Sequence, residues 1–207
     1  MSIPLSSPGV LRPKRADAVR NHARLIEAAQ QMLAERGPAG ITMDGLAERT
    51  GLGKGTVFRA FGSRAGIFRD LLGTDEVAFQ QRVMHGEPPL GPGADPVQRL
   101  IAYGRARYAH LIAHLQVMRE TLEPGSDVPA SGVRFTQIHI RMLLAKADIG
   151  VEDLDNLGVQ LTVALEGPLL LALQVPPPPT ARSVGSFEDS WQTLIERVCT
   201  RPAPPVD

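Results

Sequence analysis

The chain has 207 residues, with 22 Lys and Arg against 22 Asp and Glu, and only 4% aromatic residues. That length admits one domain or two small ones. The shortage of aromatics argues against a β-sandwich and leaves Leu, Ala, Ile and Val to fill the interior. Cys199 is the single cysteine, which excludes an intrachain disulfide. The opening M-S-I-P-L-S-S-P-G-V has neither the charged region nor the apolar run of a secretory signal, so a cytoplasmic location is expected.

The zero net charge hides an asymmetry. Residues 1–72 hold eleven Lys and Arg against six Asp and Glu, while residues 73–207 hold eleven against sixteen. A basic first third on an acidic remainder is the distribution expected when only the first part meets phosphate.

Residues 1–15 are rich in Pro, Ser and Gly and read as a flexible basic arm ending in Arg12, Lys14 and Arg15. The spacing of Leu25, Ile26, Ala29, Met32 and Leu33 predicts a helix from about Ala16 to Arg36, stopped by Gly37 and Pro38. Thr42 is the expected N-cap of a short second helix that faces Met43, Leu46 and Ala47 inward. Gly51 breaks it. A third helix follows from Gly53 or Lys54 to Phe61, with Val57, Phe58 and Phe61 as its apolar positions. Lys54, Gly55, Thr56, Arg59 and Ala60 are left to meet a partner. This order is a helix-turn-helix with a basic second member, which fits the DNA major groove. Arg59 suits bidentate pairing with guanine, and the backbone N–H groups of Lys54 and Gly55 open a helix toward phosphate. The arm residues Arg12, Lys14 and Arg15 have the chemistry to enter a minor groove. The glycines of G-L-G-K-G-T at 51–56 lack the spacing of a phosphate loop and follow a helix instead of a strand.

Ser63 caps a fourth helix carrying Ile67, Phe68, Leu71 and Leu72. Residues 85–95 form a loop, and Asp95 with Pro96 starts a long helix that ends before E-P-G-S-D-V-P-A-S-G at 123–132. Phe135 to Ile149 marks the next helix and Leu154 to Val175 another. Pro176 to Pro179 form an extended connector. Ser186 is the expected cap of a last helix bearing Phe187, Trp191, Leu194, Ile195 and Val198, and the tail from Arg201 is expected to be disordered. Nothing alternates with a period of two, so the expected class is all-α. Its parts are the arm at 1–15, a three-helix DNA-binding domain with the start of a connecting helix at 16–72, and a helical effector-binding and dimerisation domain at 73–207.

On that second domain His110 and His114 lie four apart, beside Tyr103, Arg107 and Tyr108. A metal would need a third ligand that the neighbourhood does not supply, so no metal and no cofactor is expected. These residues, with His139 and Glu166, are the candidate lining of an effector pocket. His139, on the apolar face of its helix, reads first as a satisfied core histidine and second as a group that hydrogen-bonds an effector. The stretch around Glu166 is apolar enough to raise a membrane span, against which Gln160, Glu166, Pro168 and Gln174 argue. A non-membrane helix apolar all round is expected to be buried on all sides, in part by a second subunit. Gly158, Ala164 and Gly167 would permit close approach there, and Trp191 is a further candidate for that interface.

At L-I-E-A-A-Q-Q-M-L-A-E-R-G, Thr42, L-A-E-R-T-G, G-K-G-T-V-F-R-A-F and S-R at 63–64, the chain resembles the tetracycline-repressor (TetR) family of bacterial regulators. The resemblance covers about residues 18–72. It implies a two-fold homodimer that binds double-stranded operator DNA as a repressor and is released by a small hydrophobic effector. It also implies that Thr42 and Arg64 hold phosphate, and that E-G-P-L-L-L-A-L at 166–173 lies at the dimer interface. The family commonly has Tyr where Phe58 stands and His or Tyr where Ala60 stands. Those phosphate contacts then fall to Arg59, Arg64 or the arm. Two other classes remain open at this point: a helical enzyme acting on a small molecule, and a nonspecific DNA binder.

Overall fold

The computed structural model describes residues 11–121, 131–174 and 184–200, with the side chains of 11–15, 131, 174 and 184–186 outside that description. Among the described residues there are eight α-helices and no strand. They divide into two units, which meet in the chain at Leu71 and Leu72.

The first unit contains α1 (Leu11–Arg36), a 3-10 turn (Pro38–Gly40), α2 (Met43–Thr50), α3 (Lys54–Phe61) and the first turns of α4 (Arg64–His85). Helix α1 begins five residues before the expected Ala16. Pro13 is its third residue, where a missing N–H costs nothing because the first turn has no intrahelical acceptor. The neighbouring Arg, Lys and Ala are strong helix formers. Arg12, Lys14 and Arg15 therefore have helical backbone, while their side chains lie outside the described residues. Gly37 and Gly51 adopt φ of 66° and 68°, a left-handed geometry that only glycine enters at little cost. Each ends a helix where the chain must turn. Leu25, Ala29, Ile41, Leu46, Val57, Phe61, Ile67 and Phe68 close the core of this unit. Burial of such side chains contributes about 1.5–3 kcal/mol each before entropy is subtracted.

The second unit contains the rest of α4, α5 (Pro96–Arg119), α6 (Ser131–Ala147), α7 (Leu154–Gln174) and α8 (Val184–Cys199). Asp95 caps α5 as its sequence requires, accepting from Val97 N and Gln98 N at 2.9 and 3.2 Å. Helix α6 starts at Ser131, inside the segment expected to be a break, and α8 starts at Val184, so Ser186 sits in its first turn instead of capping it. The expected connector at 176–179 and the tail from Arg201 lie outside the described residues. The core joins Phe79, Val83, Leu100, Tyr103, Ile140, Leu143, Leu144, Leu161, Leu165, Trp191 and Ile195. Helix α5 packs on α6, α7 and α8, and α6 packs on α7.

Candidate nucleic-acid interface and the polar interior of the second unit

The helix-turn-helix is built from short-range rules. Thr42 is extended (φ −135°, ψ 154°), and its Oγ1 accepts from Gly45 N at 2.9 Å, which closes the first turn of α2. Leu46 and Ala47 face α1 and hold α2 down. Val57 and Phe61 do the same for α3, which leaves its opposite side outward. Lys54, Gly55 and Arg59 are exposed on that side. Lys54 Nζ pairs with Asp44 Oδ1 at 2.9 Å across the turn, and Arg59 Nη2 donates to Thr56 Oγ1 at 3.1 Å. Both pairings are at the surface, where exchange for a phosphate costs little. Phe58, an apolar position of α3 and also one of the DNA-contact candidates of the sequence, is 51% exposed and so does not join Val57 and Phe61 in the core. An open groove of about 760 Å³ runs beside α3, lined by Asp17, Asn21, His22, Thr56, Arg59 and Ala60. The small Ala60 side chain leaves this groove open.

Arg64, half-exposed, already has partners within the unit. Its Nε donates to Ile41 O and its Nη2 to Pro38 O, both at 2.8 Å, and the guanidinium stacks over Phe68 at 4.8 Å. The fork that was expected on phosphate ties the α1–α2 connection to α4. Arg64 is thus a positioning residue for the Thr42 cap. The sequence reading also missed three braces. His22 Nε2 meets Asp70 Oδ2 at 2.8 Å, Arg24 Nη2 donates to Thr50 O at 2.9 Å, and Arg49 bridges Glu35 at 2.5 Å. The hydrogen bond from Arg49 holds the Glu35 carboxyl below its ordinary range. These partners are 14 to 48 residues apart, so no local pattern announces them.

The second unit buries its charge. Arg107 on α5 donates through Nη1 to Glu76 Oε2 at 2.5 Å and through Nε to Glu166 Oε1 at 3.1 Å. Thr136 on α6 donates to Glu166 Oε1 at 2.6 Å and accepts from Tyr103 Oη at 2.8 Å. Four helices thus meet on one guanidinium. Burial pushes the Glu76 carboxyl up, but contact with His110 and the charge of Arg107 outweigh it and hold the group at about 2. Burial raises the Tyr103 phenol well above its usual value. His110 Nε2 lies 3.6 Å from Glu76 Oε2, and His114 Nε2 lies 3.0 Å from Asp75 Oδ2. His114 also engages the His110 carbonyl through Nδ1 at 2.7 Å, so both of its ring nitrogens are occupied. The two histidines line a cleft of about 250 Å³ with Asp75, Phe79 and Arg82.

The structure therefore brings Tyr103, Arg107, His110 and Glu166 together, with His139 beside Tyr103 at a ring separation of 4.7 Å. Tyr108 is a correction: it points to another face of α5 and stacks on Phe187 of α8 at 4.0 Å. Trp191 is also corrected. It is 2% exposed, its indole N–H donates to Leu100 O at 3.1 Å, and it fills the space that a Cβ at Gly104 would need. It is a core residue and is unavailable to a second subunit. Gly158 likewise packs within the chain, where its Cβ would stand 3.4 Å from Arg141 of α6. Ala164 and Gly167 lie instead on the outer side of α7. Nor is α7 buried all round: Val159, Val163, Leu170 and Leu171 are 42%, 63%, 43% and 66% exposed. By length and composition α7 could cross a membrane, yet its inner face carries Glu166 into the Arg107 cluster.

The first unit is a helix-turn-helix whose second member turns a cationic side outward, a shape that fits a duplex groove. Residues 25–71 match the family of bacterial regulatory proteins of the tetR type, so the likeness rests on this amino-terminal segment. An HTH-type transcriptional repressor of Mycobacterium tuberculosis and an HTH-type transcriptional regulator of Mycobacterium bovis are each 35% identical over 82 residues. The matched stretch covers 38% of this chain and 39% of each relative. A TetR-family transcriptional regulator from Pectobacterium atrosepticum shares the fold at a TM-score of 0.66 and 14% identity, over 89% of this chain and 94% of that one. A TetR/AcrR-family regulator from Thermobifida fusca does so at 0.57 and 17%, over 85% and 96%.

Proposed function

We propose that this chain is a cytoplasmic, ligand-responsive regulator that binds a specific DNA sequence as a homodimer and represses transcription until a small molecule releases it. The observation that carries the reading is the open side of α3, where Lys54, Gly55, Phe58 and Arg59 face solvent on a helix fixed from behind by Val57 and Phe61. Lys54 and Arg59 supply contacts to phosphate and base edges. Phe58 offers an apolar surface to a thymine methyl, and Thr42 a hydroxyl to phosphate.

The outer side of α7 supports the homodimer. Val159, Val163, Gly167 and Leu171 recur every four residues, and with Ala164 and Leu170 they make an apolar stripe that a lone chain would leave in water. A two-fold dimer sets two α3 helices in successive major grooves, about 34–36 Å apart, on a palindromic site. The polar interior of the second unit supports a ligand. That ligand must bind the DNA-free arrangement more tightly than the DNA-bound one, since equal affinity shifts nothing.

Selection of bound sequences from random duplexes tests the reading. An inverted repeat, bound with an affinity that falls steeply with salt, is expected. Recovery of no preferred site, or no association at low salt, overturns it.

A further inference from the structure

The second unit buries two arginines and treats them differently. Arg107 meets two carboxylates. Arg99, one helical turn before Tyr103 on α5, is 7% exposed. Among the described residues its one hydrogen bond runs from Nη2 to Val83 O at 3.3 Å, and its Nε has no partner there. Among the described residues no carboxylate pairs with it. His139 of α6 is 3% exposed, and its Nε2 also has no partner among the described residues. Its ring lies 4.7 Å from that of Tyr103. Burial, followed by the positive charges of Arg99 and Lys146, drives the imidazole down to about 4. Their neighbours Val83, Leu100 and Ile140 are fully buried. Half-buried Phe135 lies parallel to the His139 ring, at 5.7 Å and 6°.

Buried polar atoms in folded proteins nearly always have partners, and a buried cation without a counter-charge is destabilising. A chain that keeps both orphans on adjacent helices, in an apolar surround, is built for a group that supplies an acceptor and a negative charge. We propose that Arg99 and His139 form the polar end of a ligand site that takes the carboxylate of an otherwise apolar small molecule. The carboxylate accepts from Arg99 Nε and from the Nε2–H tautomer of His139, while Phe135 moves aside and covers the apolar body. This inference rests on the reading that the second unit takes an effector. It selects Arg99 as the ligand's arginine, because Arg107 is already neutralised from within.

The test uses the full chain with isotope-labelled histidine. Benzoate, phenylacetate and octanoate are each compared with their primary amides, and with sodium chloride at matched ionic strength. At least one carboxylate is expected to raise the melting temperature and move the His139 ring resonance, identified by its loss in His139→Gln. The matching amide should bind about tenfold more weakly, since it lacks the charge-assisted bond. Arg99→Gln should abolish the carboxylate's advantage while amide binding persists. The proposal is overturned if acid and amide bind alike, if Arg99→Gln keeps the preference, if chloride reproduces the effect, or if no carboxylate binds. Should Arg99→Gln fail to fold, the His139 resonance of the unaltered chain decides. DNA binding is measured on the same preparation without ligand. Retained DNA binding with no carboxylate effect removes this inference alone, and carboxylate binding without DNA binding removes the DNA reading alone.

Discussion

The two units put their charge to opposite uses. In the first, Lys54–Asp44, Arg49–Glu35 and Arg20–Asp17 are pairs at the surface, where water screens them and a new partner is easily accepted. In the second, Glu76, Arg107 and Glu166 are withdrawn from water and bound to one another, with Thr136 and Tyr103 completing the hydrogen bonds. Charges left at a surface keep their exchange with water, whereas charges taken inside fix how four helices meet.

The largest test of that contrast is Arg107→Ala. It leaves two buried carboxylates without their cation and should cost about 3–5 kcal/mol of stability in urea unfolding. Arg49→Ala, at the surface, should cost far less, and equal losses would break the comparison. Gly167→Asp places a charge on the outer stripe of α7 and should give monomers in sedimentation; an intact dimer would move the interface elsewhere. Acid is a third probe. Glu76 titrates near 2 in the folded chain, against an ordinary value of 4.5. Its stabilising contribution is therefore complete above about pH 5 and is lost as pH falls toward 2. Glu76→Gln should flatten that part of the stability profile. In the first unit, Arg59→Ala should cost about 1–3 kcal/mol of DNA binding and relax the base preference at one position per half-site. Unchanged discrimination would remove Arg59 from base readout. Smallest is Thr42→Ala, which removes the α2 cap and should lower stability by about 1 kcal/mol in thermal unfolding.

The same division explains what the sequence could show. Helix spacing, Thr42, Gly51, Ser63 and Asp95 are local signals, and each marked its turn or cap correctly. The Ser63 hydroxyl accepts from Gly66 N at 3.1 Å as a cap should. What the sequence concealed depends on distant partners. The tie of Arg64 to the carbonyls of Pro38 and Ile41 was not anticipated, because nothing nearby in the sequence reveals that they lie within its reach. Trp191 looked like an interface residue because the gap beside Gly104, 87 positions earlier, is invisible until α5 and α8 pack. Gly158 was misassigned for a similar reason: a small residue signals close approach without saying to what. His139 was named as either a core histidine or a ligand contact, but the orphaned Arg99 that gives it meaning was not anticipated.

The burial of Trp191 has a practical consequence. It is the sole indole of the chain, and both tyrosines also belong to the second unit. Emission excited at the red edge of the absorption band therefore reports on that unit alone, while far-ultraviolet dichroism reports on all the helices together. Comparing the two signals during denaturation shows directly whether the halves melt in concert or one after the other.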